Sequence, residues 1–558
     1  MNEPQTPPDA RQPSSQLHYL GANPQISSDH RWFHISAAFI LVSTAVRLVQ
    51  LRASLLVPDE AYYWDWSRHH ALGYYDQGPF IAYLIRATVA VFGVNEFGVR
   101  IGVLLSSLGT ILLAYSLARR LFSELAGFLT VLFLGLSPLM DVGSVIATYD
   151  PPLVFFWMLT VVLLERALFA PDKHVQARCW LLAGVATGFG FLSKHTMLVI
   201  IPCLLLFLGL SPQHRGRLRT KEPYIAFAIT LTMYSGVLWW NAHNHWWTFG
   251  HLLFLTHKAR PQSQMLRGVG DFLGSQLLLV GPVLFFGLVY GSSDFRAWIS
   301  ALNSKPVYSA RTEVEAATRL SALRLYLFCM GWPVFMLFLI YALKARVQGN
   351  WVAFAWLTPV ILWSAMLSQH ADRSPGNRRR VGLTAAAVSA TSMLLTLVMV
   401  FPAIGYCAGI HLRPDADLTN LSIGWDEIAA RVDKVRREME SNGRRKVFIV
   451  GSGYQYPALM AFYMPDHPYT SDMFLHYRLD MYAAYVNELR SKLGEDAVFI
   501  NENKIEDGDL RRVFTSVDWD PPFHIYRRPF YSGPIRTVYI ARCRGYRLYT
   551  GTEWHVGG

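Results

Sequence analysis

The stretch V-P-D-E-A-Y-Y-W-D-W-S-R-H-H-A-L-G-Y-Y-D-Q-G-P-F occupies residues 57–80 and follows directly on a long apolar run. Trp and Tyr collect at bilayer interfaces, but carboxylates are disfavoured both by anionic headgroups and by an apolar core. We therefore interpret this acidic aromatic loop as a functional site at a membrane surface. Its acids are Asp59, Glu60, Asp65 and Asp76, and its candidate sugar or lipid contacts are Tyr62, Tyr63, Trp64, Tyr75 and Gln77.

The composition is that of a membrane protein. Of the 558 residues, 52% are hydrophobic and only 16% are charged, and the apolar residues form segments of roughly 17 to 25, the length that crosses the hydrocarbon layer. A net charge of +12 would suggest nucleic acid in a soluble chain, but in a multi-pass chain it indicates basic cytoplasmic loops. The five cysteines are scattered, which predicts neither disulfides nor a thiolate metal site.

The apolar segments predict a polytopic α-helical membrane protein with about eleven transmembrane helices. Residues 1–30, rich in Pro, Gln and Ser, predict a disordered cytoplasmic tail rather than a signal peptide. A transmembrane domain is predicted over 31–407, and its first outer loop, 52–97, contains a short apolar piece at 79–92 that we expect to lie in the interface. The predicted spans are 33–51, 98–117, 125–140, 152–168, 179–193, 196–210, 223–240, 272–290, 321–343, 351–368 and 382–406.

From about residue 408 the chain becomes mixed and charged, and residues 408–558 predict a soluble α/β domain. Strand-like runs at 447–450, 497–500 and 537–541 are separated by helical stretches. The turn Gly451-Ser452-Gly453 follows the first run and is similar to a phosphate-binding turn. It lacks a third glycine at the dinucleotide spacing, which favours a plain strand-to-helix turn.

The distribution of basic residues predicts the orientation of the chain, because cytoplasmic loops retain Lys and Arg. If the N-terminus is cytoplasmic, basic clusters fall in alternate loops, and the acidic aromatic loop lies outside with the other unusual polar stretches. An odd number of spans also places the C-terminal domain outside. We therefore predict an inner-membrane protein whose polar face and C-terminal domain lie in the periplasm.

Three outward acids stand at turns beside predicted helix starts. Asp59 could accept a proton, hold a divalent cation or simply cap the next helix. Asp76 lies in the turn G-Y-Y-D-Q-G-P at 73–79 and would approach the first acid pair if the loop folds back. Asp150 lies in T-Y-D-P-P at 148–152, where a helix cap and a functional site residue are equally good interpretations. Metal binding by these acids stays open.

Outward cations accompany the acids. Lys194 lies between two apolar spans, where a lysine must either snorkel or meet an anion. Lys344 and Arg346 lie outside against the charge bias, which an anionic lipid headgroup would explain. Four histidines in the long outer loop have no spacing diagnostic of zinc, and interfacial packing is favoured for the first three, whereas His257 and the nearby Arg260 are better placed as anion contacts. The first three are His243, His245 and His251.

The chain also resembles bacterial membrane glycosyltransferases of the GT-C fold, in six motifs that occur in order. The nearest group is related to protein O-mannosyltransferases and to the aminoarabinose transferase of lipid A, and the resemblance covers residues 33–406. The motifs are Asp59-Glu60 after the first span, G-Y-Y-D-Q-G-P, T-Y-D-P-P, F-L-S-K at 191–194, W-N-A-H-N-H-W at 240–246 and K-A-R-V-Q-G-N-W at 344–351.

This resemblance implies an inverting transferase that uses a polyprenyl-phosphate sugar on the periplasmic side. Relatives of the aminoarabinose type have Lys after the second acid, whereas this chain has Gln77, so a phosphate contact is either missing or supplied by Lys344 or Arg346. The implied site residues are the catalytic Asp59 and Glu60, the acidic Asp76 and Asp150, and the donor-phosphate contacts Lys194, His257, Arg260, Lys344 and Arg346.

The expected reaction is attack of an acceptor hydroxyl on the anomeric carbon, while Asp59 takes the proton and the lipid phosphate leaves beside Lys194 and Arg260. The expected acceptor is a glycolipid such as lipid A or lipopolysaccharide core, and a protein hydroxyl or a cell-wall glycan stays open. A non-enzymatic transporter is disfavoured, because the polar residues collect at one face and no repeat is evident. Membrane lipids are expected partners, nucleic acid is not, and a divalent metal ion is the one candidate cofactor.

Overall fold

The computed structural model describes residues 30–257, 262–303, 311–407, 412–443, 446–473, 479–505 and 507–547, together with Gly409. Within these ranges eight helices are long and apolar enough to cross a membrane, and the number is ten when each of two bent helix pairs counts as one span. The chain is therefore a multi-pass membrane protein. The predicted disordered tail lies outside the described residues, except for His30, where the first helix begins.

Twenty α-helices precede the C-terminal domain in the described part of the chain. The first ten are α1 (His30–Gln50), α2 (Pro58–Arg68), α3 (Phe80–Phe92), α4 (Glu96–Leu121), α5 (Glu124–Leu136), α6 (Pro138–Gly143), α7 (Asp150–Phe169), α8 (Lys173–Ser193), α9 (Ile200–Leu210) and α10 (Pro212–Arg215). The next ten are α11 (Glu222–His243), α12 (Trp247–His257), α13 (Met265–Val280), α14 (Pro282–Gly291), α15 (Phe295–Asn303), α16 (Arg311–Cys329), α17 (Trp332–Lys344), α18 (Leu357–Ala371), α19 (Pro375–Val400) and α20 (Pro402–Cys407).

Ten of the eleven predicted spans coincide with the eight long helices and the two bent pairs of the described residues. The eleventh, 125–140, is interrupted: α5 has 13 residues and rises only about 20 Å. Helix α5 ends just before Ser137, and Pro138 begins the new helix. The Ser137 hydroxyl caps α6 by accepting the N–H of Met140 at 3.4 Å. Hydropathy alone missed this break because both sides of it are apolar.

Local sequence signals explain where several helices begin. Asn95 accepts the N–H of Gly98 at 2.9 Å at the start of α4, and Ser123 accepts the N–H of Ala126 at 3.1 Å at the start of α5. Proline occupies the first position of α2, where its missing N–H costs nothing. This proline therefore fixes the helix that carries the first acids of the acidic aromatic loop.

The membrane-embedded core packs α4, α5, α7, α8, α16 and α18 around large apolar side chains. Phe133 of α5 stacks on Trp363 of α18 with ring centroids 5.1 Å apart, and Trp157 of α7 lies 4.5 Å from Phe354. Burial of this apolar surface among neighbouring helices places the start of α7 and the end of α8 side by side. These two ends carry Asp150 and Lys194.

The C-terminal domain is a small mixed sheet with helices against it. Its elements are α21 (Trp425–Gly443), β1 (Val447–Gly451), α22 (Gln455–Tyr463), β2 (Thr470–Asp472), α23 (Val486–Arg490), β3 (Asp496–Asn501), α24 (Asp507–Val513), β4 (Phe514–Trp519), β5 (Phe523–Tyr526) and β6 (Pro534–Tyr546). The strand order is β2-β1-β3-β6-β4, and β5 pairs with β6. The strand β1 is parallel to β2 and β3, and β6 is antiparallel to β3 and β4.

The acidic aromatic loop and the C-terminal domain share one hydrophobic core. Helix α2 packs along α22, and Trp64 of α2 meets Phe462 of α22 edge to face at 5.0 Å. Polar contacts reinforce this packing, since Tyr482 donates its hydroxyl to Asp65 at 2.8 Å. The C-terminal domain is thus fixed directly against the loop that carries the predicted site.

Candidate functional site

The structure places Asp59, Asp76 and Asp150 near enough to Tyr149 to act on its hydroxyl. Burial and then the carboxylates of Asp150, Asp59 and Asp76 raise the pKa of the Tyr149 hydroxyl. Three acids from separate turns of the chain therefore act on one hydroxyl. We treat their surroundings as the candidate active site.

Asp59 stands in the first turn of α2, half-buried. Tyr454 of the C-terminal domain donates its hydroxyl to Asp59 Oδ1 at 2.7 Å. The negative charge of Asp59 also contributes, after burial and Tyr149, to raising the pKa of the Tyr63 hydroxyl. A carboxylate at this position fits the predicted role of a general base.

Glu60 is fully buried and each of its oxygens is hydrogen-bonded. Arg100 donates Nε to Oε1 at 2.8 Å and Nη2 to Oε2 at 2.6 Å, and the N–H groups of Ala147 and Val57 bind the same carboxylate at 2.7 and 2.9 Å. The bidentate Arg–carboxylate pair locks α2 to α4. We therefore replace the expected catalytic role of Glu60 by a structural role, in which it joins α2 to α4.

Replacing Glu60 by alanine is expected to destabilise the protein by about 3–5 kcal/mol, because it leaves the Arg100 guanidinium buried without its charge partner. The measurement is thermal unfolding of the purified protein in detergent. The matched control is Asp415→Ala, whose pair with Arg413 is exposed (70% and 81%) and contributes about 0–1 kcal/mol. Equal melting temperatures for the two variants would refute the structural role of Glu60.

Asp76 contacts two side chains, and neither contact was predicted from the sequence. Tyr62 donates its hydroxyl to Asp76 Oδ2 at 3.0 Å, and His251 Nε2 lies 3.5 Å from Asp76 Oδ1. Burial, and then the charge of Asp76, raises the pKa of the Tyr62 hydroxyl, which keeps it a neutral donor. The interfacial role expected for His251 is corrected, since its ring is buried against the acid.

The described residues contain no group of three or more His, Cys, Asp and Glu side chains arranged to hold a metal ion. Asp76 and His251 are two ligands of suitable chemistry in contact. Metal binding by Asp76 or Asp150 therefore stays a prediction.

Gln77 is held inside the fold rather than facing the acids. Its Oε1 lies 2.9 Å from His195 Nδ1, and His195 Nε2 lies 2.6 Å from the Tyr234 hydroxyl. The next residue, Gly78, passes directly against the carbonyl of Leu192, so any side chain there would strike backbone. This contact ties the turn of Asp76 to the end of α8. Gln77 therefore has a structural partner where sugar or lipid contact was expected.

Asp150 and Lys194 form a buried ion pair. Lys194 Nζ donates to Asp150 Oδ1 at 2.6 Å, and the two side chains are only 4% and 11% exposed. Asn350 donates Nδ2 to Asp150 Oδ2 at 2.7 Å. The ammonium also lies over the rings of Tyr149, at 4.8 Å, and Trp351, at 5.7 Å. Lys194 thus points inward rather than snorkelling, and Asp150 has a role beyond capping α7.

Most predicted aromatic contacts belong to the core instead. Trp64 is 2% exposed and faces the C-terminal domain, which corrects its expected role in sugar binding. Tyr75 is also buried and packs 5.2 Å from the His251 ring. Tyr62 and Tyr63 are buried too, yet they stay beside the acids. Their predicted contact with a ligand stays a prediction.

The structure says less about the other four residues predicted to contact phosphate. Lys344 and Arg346 are exposed at the end of α17, a few residues before Asn350. Arg260 and the side chain of His257 lie outside the described residues. The phosphate contacts predicted for these four residues stay predictions.

An apolar cavity of about 180 Å³ opens beside the ion pair. Its wall is mostly apolar but includes Asp150 and Asn350, together with the hydroxyl-bearing Ser107 and Thr148. The other lining residues are Pro138, Leu139, Met140, Val142, Gly143, Ile146, Pro151, Val154, Leu279 and Ala353. This arrangement suits a molecule with a hydrocarbon part and a charged end.

Four residues that contact the predicted site residues were not predicted from the sequence to do so: Arg100, His195, Asn350 and Tyr454. Asn350 lies within the motif K-A-R-V-Q-G-N-W, of which only the cations Lys344 and Arg346 were predicted as site residues. Arg100 stands in the apolar α4, and an arginine in such a segment indicates a buried partner. No local signal in the sequence connects Tyr454 with Asp59.

The chain is similar in sequence to several membrane glycosyltransferases. A family model described as dolichyl-phosphate-mannose-protein mannosyltransferase matches residues 76–240. The lipid A galacturonosyltransferase RgtD of Rhizobium johnstonii is 27% identical over 378 residues, which cover 65% of this chain and 70% of that protein. The undecaprenyl phosphate-alpha-4-amino-4-deoxy-L-arabinose arabinosyl transferase of Pseudomonas aeruginosa is 35% identical over 176 residues, 29% of this chain and 32% of that protein.

The fold is similar to that of solved structures over nearly the whole chain. Apo ArnT from Cupriavidus metallidurans has a TM-score of 0.56 at 17% identity, covering 92% of this chain and 98% of that one. The same protein bound to undecaprenyl phosphate has a TM-score of 0.56 at 14% identity. The helices and the C-terminal domain therefore share one fold with ArnT.

Proposed function

We propose that this protein, a membrane glycosyltransferase of the GT-C fold, moves a sugar from a polyprenyl-phosphate donor to a hydroxyl of lipid A or lipopolysaccharide core. The observation that carries the proposal is the buried Asp150–Lys194 pair, of which Asp150 lines a largely apolar cavity, near two further acids. The names of RgtD and of the aminoarabinose transferase, both sugar transferases and the first a lipid A enzyme, support it.

The donor would place its phosphate near Lys194 and the first part of its hydrocarbon chain in the cavity. The Lys194 ammonium is held in a site that excludes water, where a charge-assisted hydrogen bond to phosphate is strong. Asn350 offers Asp150 a second partner, so the lysine can share its protons with an incoming anion. The undecaprenyl phosphate in the ArnT structure is a ligand of this chemistry.

In the proposed reaction the acceptor hydroxyl attacks the anomeric carbon and Asp59 takes its proton. A new oxygen–carbon bond forms as the bond between that carbon and the phosphate oxygen breaks, and configuration inverts. The leaving phosphate carries the displaced electron pair, and Lys194 stabilises the charge that develops on it. Asp76, which accepts the Tyr62 hydroxyl, would orient the sugar.

The charge bias of the loops supports a periplasmic location for this site and for the C-terminal domain, with the protein in the inner membrane. The acceptor would then be reached at the outer face of that membrane. The family model described as a protein mannosyltransferase favours a second candidate, in which the acceptor is a protein hydroxyl.

The proposal is tested by mass spectrometry of lipid A, core oligosaccharide and polyprenyl-phosphate sugars from cells with and without the gene. We expect one glycolipid to lose a fixed sugar mass in the deletion strain while its lipid-linked donor accumulates. Complementation with the Lys173→Ala variant, which alters an exposed lysine, serves as the control and should restore the mass. Unchanged glycolipids together with a glycoprotein that loses the sugar would favour the protein acceptor instead.

A further inference from the structure

The turn Gly451-Ser452-Gly453 has a clear structural use in the C-terminal domain. Gly453 has a φ of 92°, a conformation that other residues rarely adopt, and its N–H donates to Asp472 Oδ1 at 3.0 Å. The chain then enters α22 with Tyr454 as the residue before its first turn. The turn therefore fixes the backbone from which Tyr454 projects.

Tyr454 reaches across to α2. Its hydroxyl donates to Asp59 Oδ1 at 2.7 Å, and its ring stacks on Tyr62 with centroids 4.3 Å apart and planes 29° apart. Tyr62 in turn accepts the N–H of Met481 at 2.7 Å and donates to Asp76 at 3.0 Å. One segment of the C-terminal domain thus contacts a predicted site acid directly, and a second segment reaches another acid through the Tyr62 hydroxyl.

We infer that Tyr454 is a positioning residue for Asp59, so that the C-terminal domain completes the active site. This inference rests on the proposed function. A carboxylate attached by rotatable bonds must be aimed at the acceptor hydroxyl, and small errors in such an alignment are costly. The hydrogen bond sets the rotation of the Asp59 carboxylate, and the stack on Tyr62 restricts the tyrosine that makes it.

The test uses Tyr454→Phe in the full-length protein, with polyprenyl-phosphate sugar as the donor. We expect kcat to fall roughly 10- to 100-fold while KM for the donor stays within about twofold, because the phosphate contact at Lys194 is untouched. Gly453→Ala, which strains the turn that presents Tyr454, should lower kcat in the same way.

The matched control is Tyr463→Phe. Tyr463 also joins the two domains, since its hydroxyl accepts the N–H of Leu56 at 2.6 Å and donates to Glu96 at 3.1 Å, but it has no hydrogen bond to Asp59 among the described contacts. We expect wild-type kcat from this variant. Equal kcat losses in Tyr454→Phe and Tyr463→Phe would show a general effect of domain docking and overturn the inference.

Two further outcomes separate this inference from the function on which it rests. Wild-type kcat in Tyr454→Phe, with Asp59→Asn inactive, would overturn the positioning role and leave the proposed function standing. Wild-type turnover by Asp59→Asn would overturn the assignment of Asp59 itself.

Discussion

Replacing Asp59 by asparagine is expected to lower the rate of sugar transfer roughly 100- to 10,000-fold, since a general base contributes about that factor and the amide cannot take a proton. Asparagine keeps an oxygen that can accept the Tyr454 hydroxyl, so the fold should be preserved. The measurement is transfer of a labelled sugar from purified polyprenyl-phosphate donor, at equal amounts of folded protein.

Asp415→Asn is the matched control for this substitution, because Asp415 is an exposed acid of the C-terminal region paired only with Arg413 in the described contacts. Its activity should equal that of the wild type. If Asp59→Asn keeps wild-type turnover, proton transfer to Asp59 is not part of the reaction.

Replacing Lys194 by alanine is expected to raise KM for the lipid donor roughly 10- to 100-fold, which corresponds to the loss of one charge-assisted hydrogen bond to phosphate. The variant should also be less stable by about 3–5 kcal/mol, because Asp150 then stays buried without its charge partner. Donor titration and thermal unfolding of the same preparation measure the two effects separately.

The double variant Lys194→Ala with Asp150→Ala distinguishes binding from stability. Removing both charges should restore most of the stability. KM for the donor should stay high, because the site still lacks the positive charge of Lys194. Lys173→Ala, on the exposed start of α8, is the control for loss of a lysine. A double variant with normal KM would show that Lys194 serves the fold alone.

The sequence predicted much of the fold, because the signals for membrane helices are local. The spans could be read from hydropathy, and the predicted strands at 447–450, 497–500 and 537–541 fall within β1, β3 and β6. The break at Ser137 was missed, and so was the 100° bend between Val280 and Pro282, which lies within the predicted span 272–290. The pairing of Asp150 with Lys194 was not predicted as a contact, but both residues were chosen as site residues.

What could not be predicted depends on contacts between distant segments. Glu60 was expected to be catalytic with Asp59, and only the packing of α2 against α4 reveals that Arg100 occupies both of its oxygens. Trp64 stands beside site residues in sequence, yet the helix turns it towards Phe462. Neighbours along a helix point in different directions, so a cluster in sequence divides into a site and a core.

The contact between Tyr454 and Asp59 joins residues 395 positions apart, and this separation orders the assembly of the enzyme during synthesis. At about 5–20 residues per second, roughly 20 to 80 s pass between translation of α2 and of α22. Throughout that interval the aromatic face of α2 lacks the domain that covers it in the finished protein, so its apolar side chains have no partner from α22 on the nascent chain. A ribosome that stops before residue 454 releases a chain that has its membrane helices but lacks the tyrosine that donates a hydrogen bond to Asp59.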